Sequence, residues 1–461
     1  MIEEPQKVEE TQGHDIAGGS VIEAGICEEQ QSSLATNHNE SLTDNLMEKI
    51  CEESNLQIAC KRVKANRGAP GIDGITTKQL DKWLRTNKSL LIESLIKGDY
   101  HPQPIVGVQI PKPGGGVRQL GIPIVIDRFV QQAILQVLNP IFDPTFSNSS
   151  FGFRPNRSDH QALTQASKYV EEGRIFVVDI DLEKFFDRVN HDILMGRLAK
   201  RIKDKRLLKI IRKYLQAGMM VEGVCIIREE GTPQGGPLSP FLSNFLLDEL
   251  DKELEKRGHK FCRYADDCNI YLKTEIAGQR VMQSMTKFLE NKLKLKVNQE
   301  KSAVAIVKER KFLGYRILED GQLIIAPKSL EKAKEKIRML TRRWTPGRLE
   351  DIIAKLNTFL VGWFQYFELC EFRRDFKALD GWIRRRLRAA KLYQLKRPKA
   401  VRKFLDKANI SEGSRNAIAY SGKGIWRLSK SNPIHKAMSN KWFQELGLTS
   451  LEKKWEELVI I

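Results

Sequence analysis

Two neighbouring acids, Asp266 and Asp267, interrupt an otherwise apolar, strand-like stretch, FCRYADDCNIYL (261–272). Strands disfavour Asp, and adjacent carboxylates repel each other. Successive strand residues face opposite ways, so both acids can serve one site only at the tip of a tight hairpin. A divalent cation there would neutralise them. Hard oxygen ligands suit Mg²⁺, which keeps waters and substrate phosphates in its shell. A second acidic strand, VVDIDLEKFFDRVNHD (177–192), places Asp179 and Asp181 on one face. An acid emerging from a buried Val/Ile strand is costly unless it is paired or binds metal. An isolated pair of acids is ordinarily a solvated turn. Three carboxylates drawn from two strands instead suggest a two-metal site, which stabilises the attacking and leaving oxygens of an in-line phosphoryl displacement.

The rest of the chain agrees with a phosphate-rich substrate. The 461 residues carry a formal net charge of +19, which favours a polyanionic partner such as nucleic acid. The charge is uneven: residues 1–42 hold about nine acids against one Lys, whereas beyond residue 325 about 31 Lys and Arg face 14 Asp and Glu. The polar, acidic segment 1–42 reads as disordered. No apolar run is long enough to span a bilayer, and the acidic N-terminus resembles neither a signal nor a transit peptide. Seven Cys at irregular positions, with no C-x2-C pair, argue against structural zinc or a disulfide framework and suit a reducing cytoplasm.

These residues need elements to hold them. With 41% hydrophobic residues the chain can build a large core. PIVGVQIPKPGGGVRQLGIP (104–123) reads as two short strands around a Gly-rich hairpin, and IDRFVQQAILQVLNPIF as a helix that stops before Pro140. RIFVVDIDLEKFF begins as a buried strand and turns helical; PLSPFLSNFLLDELDKELEKRG is an amphipathic helix. Strands and helices intersperse up to about residue 325, as in an α+β domain, and helices rich in Arg, Lys and Trp follow.

YADD, taken with GFRPNRSDHQAL, DLEKFFD, GTPQGGPLSPFLSNFLLDELDKEL, LKVNQEKS and KFLGY in that family's order, resembles the motif series of bacterial group II intron-encoded reverse transcriptase/maturases, over roughly residues 44–440. The resemblance implies a right-hand polymerase fold of fingers and palm (43–325), an α-helical thumb/maturase domain (326–440) and a short tail (441–461). It implies an RNA-directed DNA polymerase that binds its group II intron RNA to assist splicing and retrohoming. Two Mg²⁺ ions, dNTPs, an RNA template and a DNA primer or target follow as cofactors and partners, in a bacterial cytoplasm. A relative recruited to defence or repair, or a maturase acting mainly in splicing, are the alternatives. No Cys lies beyond residue 370 and the tail region carries only His435, so the Cys/His-rich H-N-H endonuclease of some members is expected to be lacking.

The resemblance also assigns roles. Asp181, Asp266 and Asp267 would hold the metals, and Lys301 would act as general acid toward the leaving pyrophosphate. Two frames compete at the first acidic motif. Phe186 stands five residues after Asp181, where an aromatic ring could exclude a 2′-OH; Lys184 stands five after Asp179. The first frame makes Phe186 the sugar gate and Asp179 a supporting residue, with Asp187 capping the local turn. Lys112 and Arg118 would clamp the triphosphate, and Gln234 and Gly235 would line the nucleotide pocket. Phe151, Arg154 and Arg157 would meet the template, although Phe151 could equally be core. Phe312, Leu313 and Gly314 would form the primer grip. Arg384, Arg385, Arg386 and Arg388 would present an RNA surface.

Overall fold

A computed structural model describes residues 43–459 apart from 112–116, 222–223, 227 and 234. The acidic segment 1–42, Lys112 and Gln234 therefore lie outside the described residues. The strands run β1 (Ile105–Pro111), β2 (Val117–Ile122), β3 (Phe176–Ile180), β4 (Met219–Val221), β5 (Val224–Ile226), β6 (Lys260–Tyr264), β7 (Asp267–Leu272), β8 (Ala303–Ile306), β9 (Tyr315–Ile317) and β10 (Leu323–Ile325).

The chain divides into two compact units. One comprises the residues up to Ile141 together with 191–229 and 235–237. Its sheet has the order β2-β1-β4-β5, and β1 and β2 form the antiparallel hairpin expected from the Gly-rich segment. Arg118 faces Ile110 in that register. The helix Val125–Phe142 begins in this unit and runs through Pro140, contrary to the expected stop. A proline two residues from the end withholds one N–H, from the Gln136 carbonyl, and leaves little helix beyond it to disturb.

The other unit holds 142–190, 230–234 and everything from Leu238 onward. Its four-stranded antiparallel sheet has the order β6-β7-β3-β8, so the two acidic strands are direct neighbours, with Asp179 opposite Asn269 and Ile180 opposite Cys268. The buried residues Val177, Val178, Ile180, Cys268 and Ile270 explain the apolar runs that flank the acids. Helices Asp159–Glu171, Ser239–Lys256 and Glu275–Phe288 pack on the sheet. The first starts at a capping box in which Ser158 and Gln161 satisfy each other's backbone N–H groups.

The apolar core runs across residue 325. Phe151, Tyr271 and Tyr315 share one apolar cluster with Leu356, Phe364, Phe376 and Leu387 of the helical region. Each such side chain removed from water contributes roughly 1.5–3 kcal/mol, which welds sheet and helices together. The segment 441–459 is likewise docked. Phe443 and Leu451 are fully buried, and Asp380 accepts hydrogen bonds from the Leu451 and Glu452 N–H groups and the Ser450 hydroxyl. Among the described residues no helix is long and apolar enough to cross a membrane.

Candidate active site and nucleic-acid cleft

Strand β6 ends at Tyr264 and β7 starts at Asp267; these two residues pair, which closes a two-residue turn over Ala265 and Asp266. The acids thus stand at a hairpin tip, as their spacing requires. Ala265 takes a left-handed φ of 59°, a conformation that costs a residue with a Cβ about 1–2 kcal/mol. The turn is held from below by Arg263, whose guanidinium is buried. It donates to the Ala265 carbonyl at 2.8 Å, to both oxygens of Asp251 at 2.7 and 2.6 Å, to Asn244 at 2.9 Å and to the Ser150 hydroxyl at 2.7 Å. Gly152 lies against the same turn. A Cβ there would come 2.3 Å from the Ala265 nitrogen, so only glycine fits.

Asp181 and Asp267 line one cleft of about 810 Å³, with Asp179 beside them. Burial, then the like charges of Asp266, Asp179 and Asp181, push the Asp267 carboxyl up to about 6. Asp179 is paired with Arg310 at 2.6 Å, and the same guanidinium donates to the Lys301 carbonyl at 2.5 Å. Burial raises the Asp179 carboxyl while Arg310 opposes that rise. Asp181 carries the looser contact, with the exposed Lys301 ammonium at 3.9 Å. Asn298 orients Lys301 by accepting from the Glu300 and Lys301 N–H groups at 3.1 and 3.3 Å.

The opposite wall is cationic and aromatic. Lys311, Lys328 and Lys332 line it with Trp363, Tyr366 and Phe367. Burial and the Lys332 charge pull the Lys311 ammonium down, while Asp267 works the other way. Leu313 and Gly314 both have positive φ, 47° and 87°, between the hydrogen-bonded Phe312 and Tyr315, the signature of a type I′ hairpin. The Tyr366 hydroxyl donates to the Leu313 carbonyl at 2.8 Å and the Ser329 hydroxyl to the Gly314 carbonyl at 2.9 Å, which fixes the tip against the helices. Phe312 itself is buried, so at this turn its ring serves the core.

Residues 110–317 match the reverse transcriptase (RNA-dependent DNA polymerase) family, and 330–408 match the group II intron, maturase-specific domain. The chain is 32% identical over 341 residues to Protein YkfC of Escherichia coli (strain K12), covering 64% of this chain and 88% of that protein. It is 29% identical over 326 residues to the group II intron-encoded protein LtrA of Lactococcus lactis subsp. cremoris, covering 56% of this chain and 54% of LtrA. The chain belongs to the group II intron reverse transcriptase/maturase family. Its fold is the mixed α+β right-hand polymerase fold, and its chemistry is RNA-directed DNA synthesis. It spans about half the length of LtrA.

The reverse transcriptase fold uses several of the expected contact residues internally. Arg154 is buried: it pairs with Asp143 at 2.8 Å and donates to the Ser147, Ser150 and Asp143 carbonyls, so its reading as a template contact gives way to a structural one. Phe151 is core, while Arg157 lies 5.7 Å over its ring and donates to Asn148. Exposed Phe153 leans on Tyr264 beside the acidic turn, with ring centroids 6.4 Å apart. Gly235, with φ 127°, must be glycine because a Cβ would meet the Gly121 carbonyl at 2.3 Å, an approach of chain to chain. Phe186 is half-buried, its ring edge-on to Phe185, and its carbonyl accepts from the Thr232 N–H.

The arginine run of the helix Arg373–Leu395 also makes contacts within the fold, with Arg388 buried and Arg384, Arg385 and Arg386 half-buried. Arg384 approaches Asp380 at 4.0 Å, and Arg385 stacks 4.0 Å over Trp426. Arg386 donates to the Thr341 hydroxyl and carbonyl. Arg388 is buried, donates twice to the Met438 carbonyl, and has its guanidinium pulled down to about 10 by burial. Arg388→Gln is therefore expected to cost roughly 2–3 kcal/mol of stability, since it strands a buried carbonyl. Its signature is a lowered urea midpoint with an unchanged salt slope for RNA binding.

Sequence reasoning missed Arg263, Asp251, Arg310 and the three cleft lysines. Arg263 did carry a signal, because a cation among Phe261, Cys262 and Tyr264 demands a buried partner.

Proposed function

We propose that this reverse transcriptase extends a DNA primer along an RNA template within the cleft, and that its helical region binds a group II intron RNA to assist splicing and retrohoming. The supporting observation is the single cleft that unites Asp181, Asp267 and Lys301 with the Leu313–Gly314 turn and a cationic wall. Among the described residues no three His, Cys, Asp or Glu side chains converge closely enough to hold an ion by themselves. Mg²⁺ does not need such a cage; it takes one or two carboxylates plus waters and substrate phosphates. The crowding of like charge at Asp267 is what a cation would relieve. Reverse transcriptases use divalent metal ions, and here Asp181, Asp266 and Asp267 would hold two Mg²⁺. Bound there, the metals would stabilise the attacking and leaving oxygens of the displacement.

The chain's own residues do the rest. Lys301 donates a proton to the departing pyrophosphate, and Arg310 steadies its backbone. The Leu313–Gly314 turn seats the primer end, and Lys311, Lys328 and Lys332 face its phosphates. Lys112, Arg118, Gln234 and Gly235 receive the incoming nucleotide, and the Phe186 ring excludes a 2′-OH. The direct test is extension of a DNA primer on RNA with Mg²⁺ and either dNTPs or rNTPs. Phe186→Ala should relax selection against rNTPs by roughly tenfold or more, the scale on which a pocket discriminates a small added group. Unchanged selection, or relaxation only on changing Lys184, would shift the metal ligand to Asp179.

A further inference from the structure

With Arg384–Arg388 occupied, the question is what else in the helical region could grip RNA. The turn TRRWTPGR (341–348), between the helices Pro327–Leu340 and Leu349–Phe367, presents Trp344 at 68% exposure, and Met339 beside it is 55% exposed. Arg342, Arg343 and Arg348 are exposed in the same turn. No Asp or Glu occurs between Lys336 and Leu349. Arg338 reaches Glu331 at 3.7 Å, but among the described residues no ion pair forms at Arg342 or Arg343.

The turn is anchored at both ends. Thr341 is buried and tied down by Arg386 at 2.6 Å, Gln394 donates to the Gly347 carbonyl at 3.2 Å, and Thr345 N–H closes a tight turn onto the Arg342 carbonyl at 3.0 Å. An indole this exposed gains nothing from the fold. It is held out on a braced turn beside the exposed Arg342 and Arg343, while at the far end the Asp351 carboxylate accepts from the Arg348 N–H at 2.9 Å.

We infer that the Trp344 turn is a binding site for single-stranded RNA, in which the indole stacks on an unpaired base and Arg342 and Arg343 take the flanking phosphates. Base–aromatic stacking needs a free π-face, which a paired helix does not offer, and the guanidinium groups supply the backbone attraction. The site rests on the reading of the chain as an intron-binding reverse transcriptase and names the feature of that RNA it takes: an unpaired loop or bulge.

The test compares full-length parent, Trp344→Ala, Trp344→Phe and the Arg342→Gln/Arg343→Gln double variant on two labelled RNAs. One is a hairpin with a loop of about eight nucleotides, the other a blunt duplex. Trp344→Ala should weaken loop binding roughly tenfold or more, with duplex binding and primer extension within about twofold of parent. Trp344→Phe should retain most of the loop affinity. The arginine variant should flatten the salt slope by about 1.4, two phosphates at 0.7 each, whereas Trp344→Ala should leave it alone. Loop binding by Trp344→Ala equal to parent overturns the site, as does equal loss on loop and duplex, or a loss that tracks conversion of a dimer to a monomer on sedimentation. Failure of the parent to extend a primer would instead count against the polymerase reading, which separates the two.

Discussion

Asp267→Asn is expected to lower Mg²⁺-dependent extension by roughly a thousandfold, the several kcal/mol that a Lewis-acid cation contributes to such a transition state. Asn keeps the size of the side chain and its place at the start of β7, so the hairpin, its pairing with Tyr264 and the RNA-binding surfaces should persist. Charge alone is removed. Asp181→Asn should behave in the same way. Asp179→Asn should not: its carboxylate is already matched by Arg310, so the change leaves a half-buried guanidinium without its partner and shows first as lost stability. The measurement is single-turnover extension on a primed RNA at saturating dNTP, with thermal midpoints and RNA affinity taken on the same preparations. An Asp267→Asn protein that extends at more than a few per cent of the parental rate would refute the metal role. An Asp179→Asn protein as inactive as Asp181→Asn would restore the competing frame.

How far the sequence carried depended on whether a residue's partners were local. The turn at Ala265–Asp266 was legible because period-2 alternation cannot put adjacent acids on one face. The apolar residues around Asp179 likewise declared a central strand, and β3 indeed lies between β7 and β8. The internal contacts of the arginine run were not legible, because a helix count shows which faces carry charge and not what covers them. Trp426, Thr341 and Met438 come from segments some forty or more residues away, and only the fold brings them to the guanidinium groups. Arg154 failed for the same reason, its partners being Asp143 and a ring of carbonyls. The boundary at 325 follows a real change in composition, from mixed elements to basic helices, and lies between the two matched regions, while the apolar cluster from Phe151 to Leu451 spans it. Trp344 had no signal of its own in the sequence, since an indole at helical spacing is usually core.

The second large effect is expected at Arg263 and Asp251, which never touch substrate. Arg263→Met alone leaves Asp251 charged and buried among apolar helices, and should cost about 3–5 kcal/mol. That result would not distinguish a stabilising pair from a positioning one. The double replacement Arg263→Met/Asp251→Leu does, because exchanging a buried ion pair for packed apolar groups is often neutral or stabilising. Its thermal midpoint should return close to parental. What it cannot restore is the donor to the Ala265 carbonyl, the bridge through Asn244 to Gly152, and the hold on Ser150. The strained turn is then free to relax, and the two acids lose their fixed spacing. Losses of roughly 10–100-fold are typical when residues that orient metal ligands are removed. The double variant should therefore need more Mg²⁺ for half-maximal extension and stay slower at saturation, while binding primer–template as the parent does. A folded double variant with parental Mg²⁺ dependence and rate would mean that Arg263 supports only the fold, and that the turn holds Asp266 and Asp267 in place through its own hairpin pairing.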